Sequence, residues 1–232
     1  MGEPKPKPII FDGESVRTIL AEEKDQTRRW CKQAPADAVS ARVAGGVIEW
    51  TCADGSIFLT KPRFAVGQTL WVKERWSVLP QVDEMPIREM PHDALIRYAA
   101  DAAVPRAPGH RENPGVSQFT PPRSPLYMPR WASRLTLRVT SVRVERVQDI
   151  SEADAIAEGV RRMPETQLRM YTMAHERPEV AYVDGRINAP KPWTASARES
   201  FEGRWQAINA LRAPWDSNPW VEAVTFEVVP HA

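Results

Sequence analysis

Apolar residues recur along the chain with two periods, and the changes from one period to the other mark out its elements. Val16, Ile19 and Leu20 fall on one face of a 3.6-residue repeat, with Asp12 where an N-cap belongs, which predicts a short helix over 12–23. A polar and cationic run follows from Lys24 to Trp30. Ile48 and Trp50 alternate on one side of Asp54-Gly55 and Ile57 and Leu59 on the other, which predicts a hairpin over 47–59. Thr69–Lys73 reads as a strand entered through Gly67. The strongest strand signal covers 135–147. Leu135, Leu137 and Val139 share one parity and Val142 and Val144 the other, so a bulge or bend is expected at Thr140-Ser141. Ser151, with Asp154 three residues on, opens a short helix that stops at Glu158-Gly159. Phe201, Trp205 and Ile208 give an amphipathic helix over 197–211, and 221–229 reads as a buried closing strand.

Many strands, three short helices and a bent central strand predict an α+β fold, a small mixed β-barrel with flanking helices. Residues 1–8 read as a loose tail and 9–232 as one domain. Insertions at about 80–129 and 162–195 interrupt the periodicity, the first carrying one strand over 96–99. The 22 prolines among 232 residues fit strands and ordered loops better than long helices. Thirty-one Lys and Arg face 30 Asp and Glu, a net charge of +1, which argues against a protein that tracks a polyanion and for one that reads a single base. Cys31 and Cys52 could form one disulfide, but two cysteines make no secreted framework. The N-terminal stretch lacks the apolar core of a leader, and no run reaches the ~20 apolar residues of a membrane span. A cytoplasmic protein is expected. His92, His110, His175 and His231 have no ligand spacing, so no metal site is expected, and no glycine-rich phosphate loop is present.

Four segments, in order, resemble the ASCH family of the PUA-like superfamily. They are Pro8-Ile9-Ile10-Phe11 through Lys24-Asp25-Gln26-Thr27-Arg28-Arg29; Gly67-Gln68-Thr69-Leu70-Trp71-Val72-Lys73-Glu74-Arg75-Trp76; Met128-Pro129-Arg130-Trp131-Ala132-Ser133-Arg134; and Asp149-Ile150-Ser151 to Glu158-Gly159. The ending Trp215-Asp216-Ser217-Asn218-Pro219-Trp220 is similar to that of the longer, phage- and prophage-encoded members. The resemblance implies a PUA-like barrel. By analogy with the bacterial members that deacylate N4-acetylcytidine, it implies an amidohydrolase of N4-acylated cytosine or cytidine. It places the catalytic set at Lys24, Thr27 and Glu158, with Arg29 and Arg130 binding substrate and no cofactor. The partners it implies are a modified nucleobase or nucleoside and single-stranded RNA. Asp25 stands where the family usually has Thr.

Amide hydrolysis needs a nucleophile, a base and a proton for the departing amine. Thr27 has the hydroxyl, and Lys24 could serve as base if its amine is neutral. Arg28, Arg29 and burial in a cleft lower its pKa, while Asp25 raises it. Glu158, at the negative end of a helix, leans toward its protonated form unless Lys24 or an arginine pairs with it. Trp71, Trp76 and Trp131 could stack on a base, though tryptophans of a small barrel more often fill its core. Cys31 has no nearby His to activate it. A non-catalytic PUA-like reader of RNA or DNA bases, or a ribonuclease, are the alternative functions.

Overall fold

The computed structural model describes residues 5–102, 119–165, 168, 181–183 and 194–230. In chain order the elements are β1 (Lys7–Ile10), α1 (Gly13–Leu20), β2 (Gln26–Trp30), β3 (Ala38–Ala44), β4 (Val47–Cys52), β5 (Ile57–Thr60), β6 (Thr69–Lys73) and β7 (Trp76–Ser77). They continue with α2 (Pro80–Asp83), β8 (Arg97–Tyr98), α3 (Ala99–Ala102), β9 (Thr136–Arg146), α4 (Glu152–Ala157), β10 (Arg161–Arg162), β11 (Tyr182–Val183), α5 (Ala197–Asn209) and β12 (Trp220–Val229). The fold is mixed α+β with several sheets, and no closed barrel is found among the described residues. None of the described helices is long and apolar enough to cross a membrane.

The chain divides into two units. The first is Met1–Ala21, Gln68–Arg138 and Val228–Ala232. In it β1 runs parallel to β6, from Lys7 opposite Leu70 to Ile10 opposite Lys73, and β6 pairs antiparallel with the start of β9. Lys7 and Pro8, expected at the end of a tail, are therefore strand residues. Trp76, Val78, Met90, Met128 and Ala132 form a core cluster, so Trp76 is a packing residue and no part of a stacking wall. The strand expected over 96–99 shrinks to the two residues of β8, opposite Trp76 and Ser77. Residues 103–118 of the first predicted insertion lie outside the described residues.

The helix α1 begins as its sequence predicts. The Asp12 carboxylate accepts from the Ser15 N–H at 2.7 Å, capping one of the amides that the first turn leaves without an intrahelical partner. Asp12→Ala is expected to cost about 1 kcal/mol, read as a lower urea midpoint with an unchanged slope. An unchanged midpoint would show that the cap does not hold the helix start.

The second unit is Glu22–Gly67 and Val139–Glu227. Its strands β9, β12 and β2 lie side by side in that order, and β12 pairs antiparallel with β2 from Val221 opposite Trp30 to Thr225 opposite Gln26. A separate sheet runs β3–β4–β5. The expected turn at Asp54-Gly55 joins β4 to β5, with Gly55 at φ +84°. Along β9, Arg138 and Thr140 are exposed and the next exposed residue is Arg143, so the outward side changes parity where Thr140-Ser141 predicted it.

Apolar clusters of described residues help to hold this unit. Trp50 and Trp220 meet edge to face at 5.5 Å beside Cys31, Ala38 and Ile48. On the other side Val147, Ile150, Ala155, Phe201, Trp205, Trp215 and Val221 pack together. Phe201 and Trp205 bury the inner face of α5, but Ile208, predicted on that face, is 63% exposed. The helix ends one residue later, and its last turn extends past the cluster that buries the other two. Residues 166–167, 169–180 and 184–193 of the second predicted insertion lie outside the described residues.

Candidate functional site

Lys24, Gln26 and Arg28 share one parity, and within β2 alternate side chains leave a strand on the same side. On that side stands α4. Its start is capped by the Ser151 hydroxyl, which accepts from the Asp154 N–H at 3.0 Å. Its end is Glu158, followed by Gly159 at φ +91°, a conformation that suits glycine. The Asp25 N–H donates to the Ala157 carbonyl at 3.1 Å and so clips the approach to β2 against the end of the helix.

The clip brings Lys24 to Glu158. The ammonium Nζ lies 2.7 Å from Glu158 Oε2 and 2.7 Å from the Glu158 carbonyl oxygen. The two side chains are only 2% and 5% exposed. Arg28 completes the cluster with a fully buried guanidinium. It donates to Glu145 Oε1 at 2.6 Å, to Asp154 Oδ2 at 3.0 Å, to Gln26 Oε1 at 2.6 Å and, more loosely, to Glu158 Oε1 at 3.5 Å. Gln26 Nε2 in turn donates to Asp154 Oδ1 at 3.1 Å. The ring of Phe201 lies 5.8 Å from the guanidinium carbon.

These surroundings set the electrostatics. Burial lowers the Lys24 amine, Glu158 raises it, and Arg204 and Arg29 lower it again, leaving it at about 8. Desolvation outweighs the carboxylate, and the opposing charges belong to Arg204 and Arg29 where the sequence suggested Arg28 and Arg29. The attraction comes from Glu158; the Asp25 side chain is exposed. Both carboxylate oxygens of Glu158 accept from cations, one from Lys24 and the other from Arg28. Burial raises Asp154, but the Gln26 hydrogen bond and the charges of Arg28 and Arg143 outweigh it and hold Asp154 below the usual carboxylate value.

Of the five residues expected at the site, the structure brings Lys24 and Glu158 together. Thr27 is buried in β2, but alternation turns it to the opposite face of the strand, where its cross-strand neighbour is Val224. Arg29 shares that face and stands opposite Glu222. Glu222 is buried and accepts from the backbone N–H groups of Arg63, at 2.9 Å, and Phe64, at 3.3 Å. Arg130 is exposed on a 3-10 turn of the first unit, next to Trp131, which stacks on His92 at 5.4 Å.

Both cysteines are free and buried. Burial and the charge of Glu222 push the Cys31 thiol up to about 11, which leaves no thiolate for nucleophilic work near neutral pH. Among the described residues no cluster of three His, Cys, Asp or Glu side chains is arranged to hold a metal.

Sequence reasoning missed Gln26, Arg28, Glu145 and Asp154 as members of this cluster. The signal was the even parity of Lys24, Gln26 and Arg28, which becomes readable once 26–30 is known to be a strand. A cleft of ≈ 740 Å³ is lined by residues that flank the pair, Glu22 and Glu23 on one side and Ile156 and Val160 on the other, while Lys24, Thr27 and Glu158 do not line it. No protein-family model, curated protein or solved structure matches the chain.

Proposed function

We propose that this protein is an ASCH-like hydrolase with a PUA-type barrel, removing the acyl group from an N4-acylated cytosine nucleoside. The observation that supports the reading most is the meeting of Lys24 and Glu158. They lie 134 residues apart in the chain, both positions were named by the resemblance, and they are joined at 2.7 Å with the amine at about 8. An amine at that value is partly neutral at physiological pH, as a general base requires.

Two nucleophiles fit the chemistry, water and the Thr27 hydroxyl. The strand alternation that turns Thr27 away from Lys24 favours water. Neutral Lys24 takes a proton from the water as its oxygen adds to the acyl carbon. The tetrahedral intermediate then expels the cytosine N4 amine, which leaves with a proton returned from the Lys24 ammonium. Free carboxylate and cytidine are the products. Glu158 keeps the Lys24 nitrogen in place, as amine in the first half-step and as ammonium in the second. Thr27→Ala therefore retains activity in this form of the reaction, whereas a Thr27 nucleophile would make it inactive.

The test is to incubate the purified protein with N4-acetylcytidine and follow the ultraviolet change on conversion to cytidine. Turnover is expected, with kcat/KM rising with pH and levelling above about 8, because the active form is the deprotonated amine. A rate that is flat in pH across that value would remove Lys24 as the base. One observation favours the other reading, a non-catalytic base binder: the closed, nearly inaccessible Lys24–Glu158 contact suits a structural brace. Wild-type protein inert on N4-acylated cytosines and cytidines, yet binding a nucleoside or RNA, establishes that reading.

A further inference from the structure

The ≈ 740 Å³ cleft in the second unit draws its walls from the same two chain stretches as the Lys24–Glu158 pair. Glu22 and Glu23 immediately precede Lys24, and Val160 and Arg161 closely follow Glu158. The Asp25-to-Ala157 hydrogen bond ties the stretches together. Glu22 adopts φ +59°, a left-handed conformation that costs a non-glycine residue energy and turns the chain out of α1 at the rim of the cleft. An ion pair from Arg161 to Glu23, 3.6 Å long, joins the two sides.

One of the lining residues, Tyr182, is aromatic. Tyr182 stands directly across from Arg162 in the β10–β11 ladder. It also exchanges two backbone hydrogen bonds with Thr194, at 2.9 and 3.1 Å, and packs on the cluster around Phe201. Its ring is thus anchored before any ligand arrives, which lowers the entropy cost of stacking.

The volume falls in the range of small-molecule sites, roughly 300–1,000 Å³. A bare pyrimidine ring would fill little of it. The lining carboxylates can only accept hydrogen bonds when ionised, so they suit a ligand rich in hydroxyl donors. Among the described lining residues two carboxylates balance two guanidinium groups, so these offer a phosphate no net attraction. We propose that this cleft takes an uncharged nucleoside, its base stacked on Tyr182 and its sugar hydroxyls donating to Glu22 and Glu23. The choice of cytidine as the base rests on the proposed deacylation; the cleft assignment does not.

The experiment titrates the purified protein with cytidine, the product, by calorimetry, so that no turnover is needed. Saturable binding is expected, weakened about tenfold or more by Tyr182→Ala, because base–aromatic stacking is typically worth that much. Tyr182→Leu, which keeps the packing, should weaken binding as well. Glu22→Gln and Glu23→Gln, both at exposed positions, should each weaken cytidine several-fold and leave 2′,3′-dideoxycytidine unchanged. Cytidine 5′-monophosphate should bind no tighter than cytidine. The assignment is overturned if wild-type protein binds neither cytidine nor uridine, adenosine or guanosine, if these variants bind as wild type does, or if the monophosphate binds tenfold tighter. The two proposals fail separately. Hydrolysis with an unchanged KM in Tyr182→Ala sinks the cleft and leaves the chemistry standing. Cytidine binding that is sensitive to Tyr182, in a protein that hydrolyses nothing, supports the cleft and sinks the chemistry.

Discussion

Replacing Arg28 by Met is expected to destabilise the second unit by about 3–5 kcal/mol, the range found when one member of a buried ion network is removed. The guanidinium is fully buried and sits between Glu145, Asp154 and Glu158, whose side chains are 19%, 23% and 5% exposed. Met keeps much of the volume but leaves three carboxylates facing one another, with Lys24 still bound to Glu158 and the exposed Arg143 still paired with Asp154 and Glu145. The loss comes from the stranded charges more than from the missing attraction. Arg28→Lys should fall between, because a single ammonium cannot fork to Glu145, Asp154 and Gln26 together. The urea midpoint measures both. Asp154 adds a pH signature. Its carboxyl is held below its usual 3.8, so it contributes stability above that value that is lost as pH falls through the lowered one. In Arg28→Met that part of the acid dependence should flatten. A shift under about 1 kcal/mol would show that the network is relaxed by water and is not a closed set of charges.

The elements that were legible in the sequence are those whose cause is local. Asp12 caps α1, Ser151 caps α4 and Asp54-Gly55 turns β4 into β5, each within a few residues of the structure it creates. The strand β3 escaped notice because its residues, Ala38–Ala44, are mostly small or polar and only Ala38 is buried. Its signal was the turn instead. Gly45 and Gly46 adopt φ +56° and +79° between Ala44 and Val47, the two positive angles that a tight hairpin needs. The burial of Trp50 and Trp76 followed the expectation that large aromatics fill cores. Ile208 did not follow its helical period, because burial depends on what stands opposite a face as well as on the face itself.

The candidate site was legible to a different degree. Composition and period said nothing about Lys24 and Glu158; the family resemblance singled them out. The contact itself depends on long-range pairing, the clip from Asp25 to Ala157 and the seating of α4 beside β2, which no local pattern encodes. The same is true of Thr27. It follows Lys24 by three positions in the chain, a spacing that would place both on one face of a helix and that β2, being a strand, does not. The resemblance names the residue, and the strand decides which way it faces.

Lys24→Met and Glu158→Leu, made singly and together, should separate chemistry from bracing. Each single change strands one charge of a buried pair and is expected to cost a few kcal/mol, measured by urea denaturation. The double variant removes both charges, leaves Arg28 its bonds to Glu145 and Asp154, and should recover most of that loss, since apolar replacement of a whole buried pair is often close to neutral. Activity should not recover. With Lys24 as the base, Lys24→Met and the double variant should both lose about 10³-fold or more in kcat toward N4-acetylcytidine, with no additivity between the two positions because they act as one unit. Stability against pH provides an independent reading of the same group. The folded amine titrates at about 8 and the unfolded one at 10.5, so between those values the unfolded chain binds more protons. This contribution to stability is full above 10.5 and is lost as pH falls through about 8, and Lys24→Met should lack it. A Lys24→Met protein that is destabilised, missing the alkaline rise, and yet hydrolyses at more than about a tenth of the wild-type rate would make the pair a brace and place the base elsewhere.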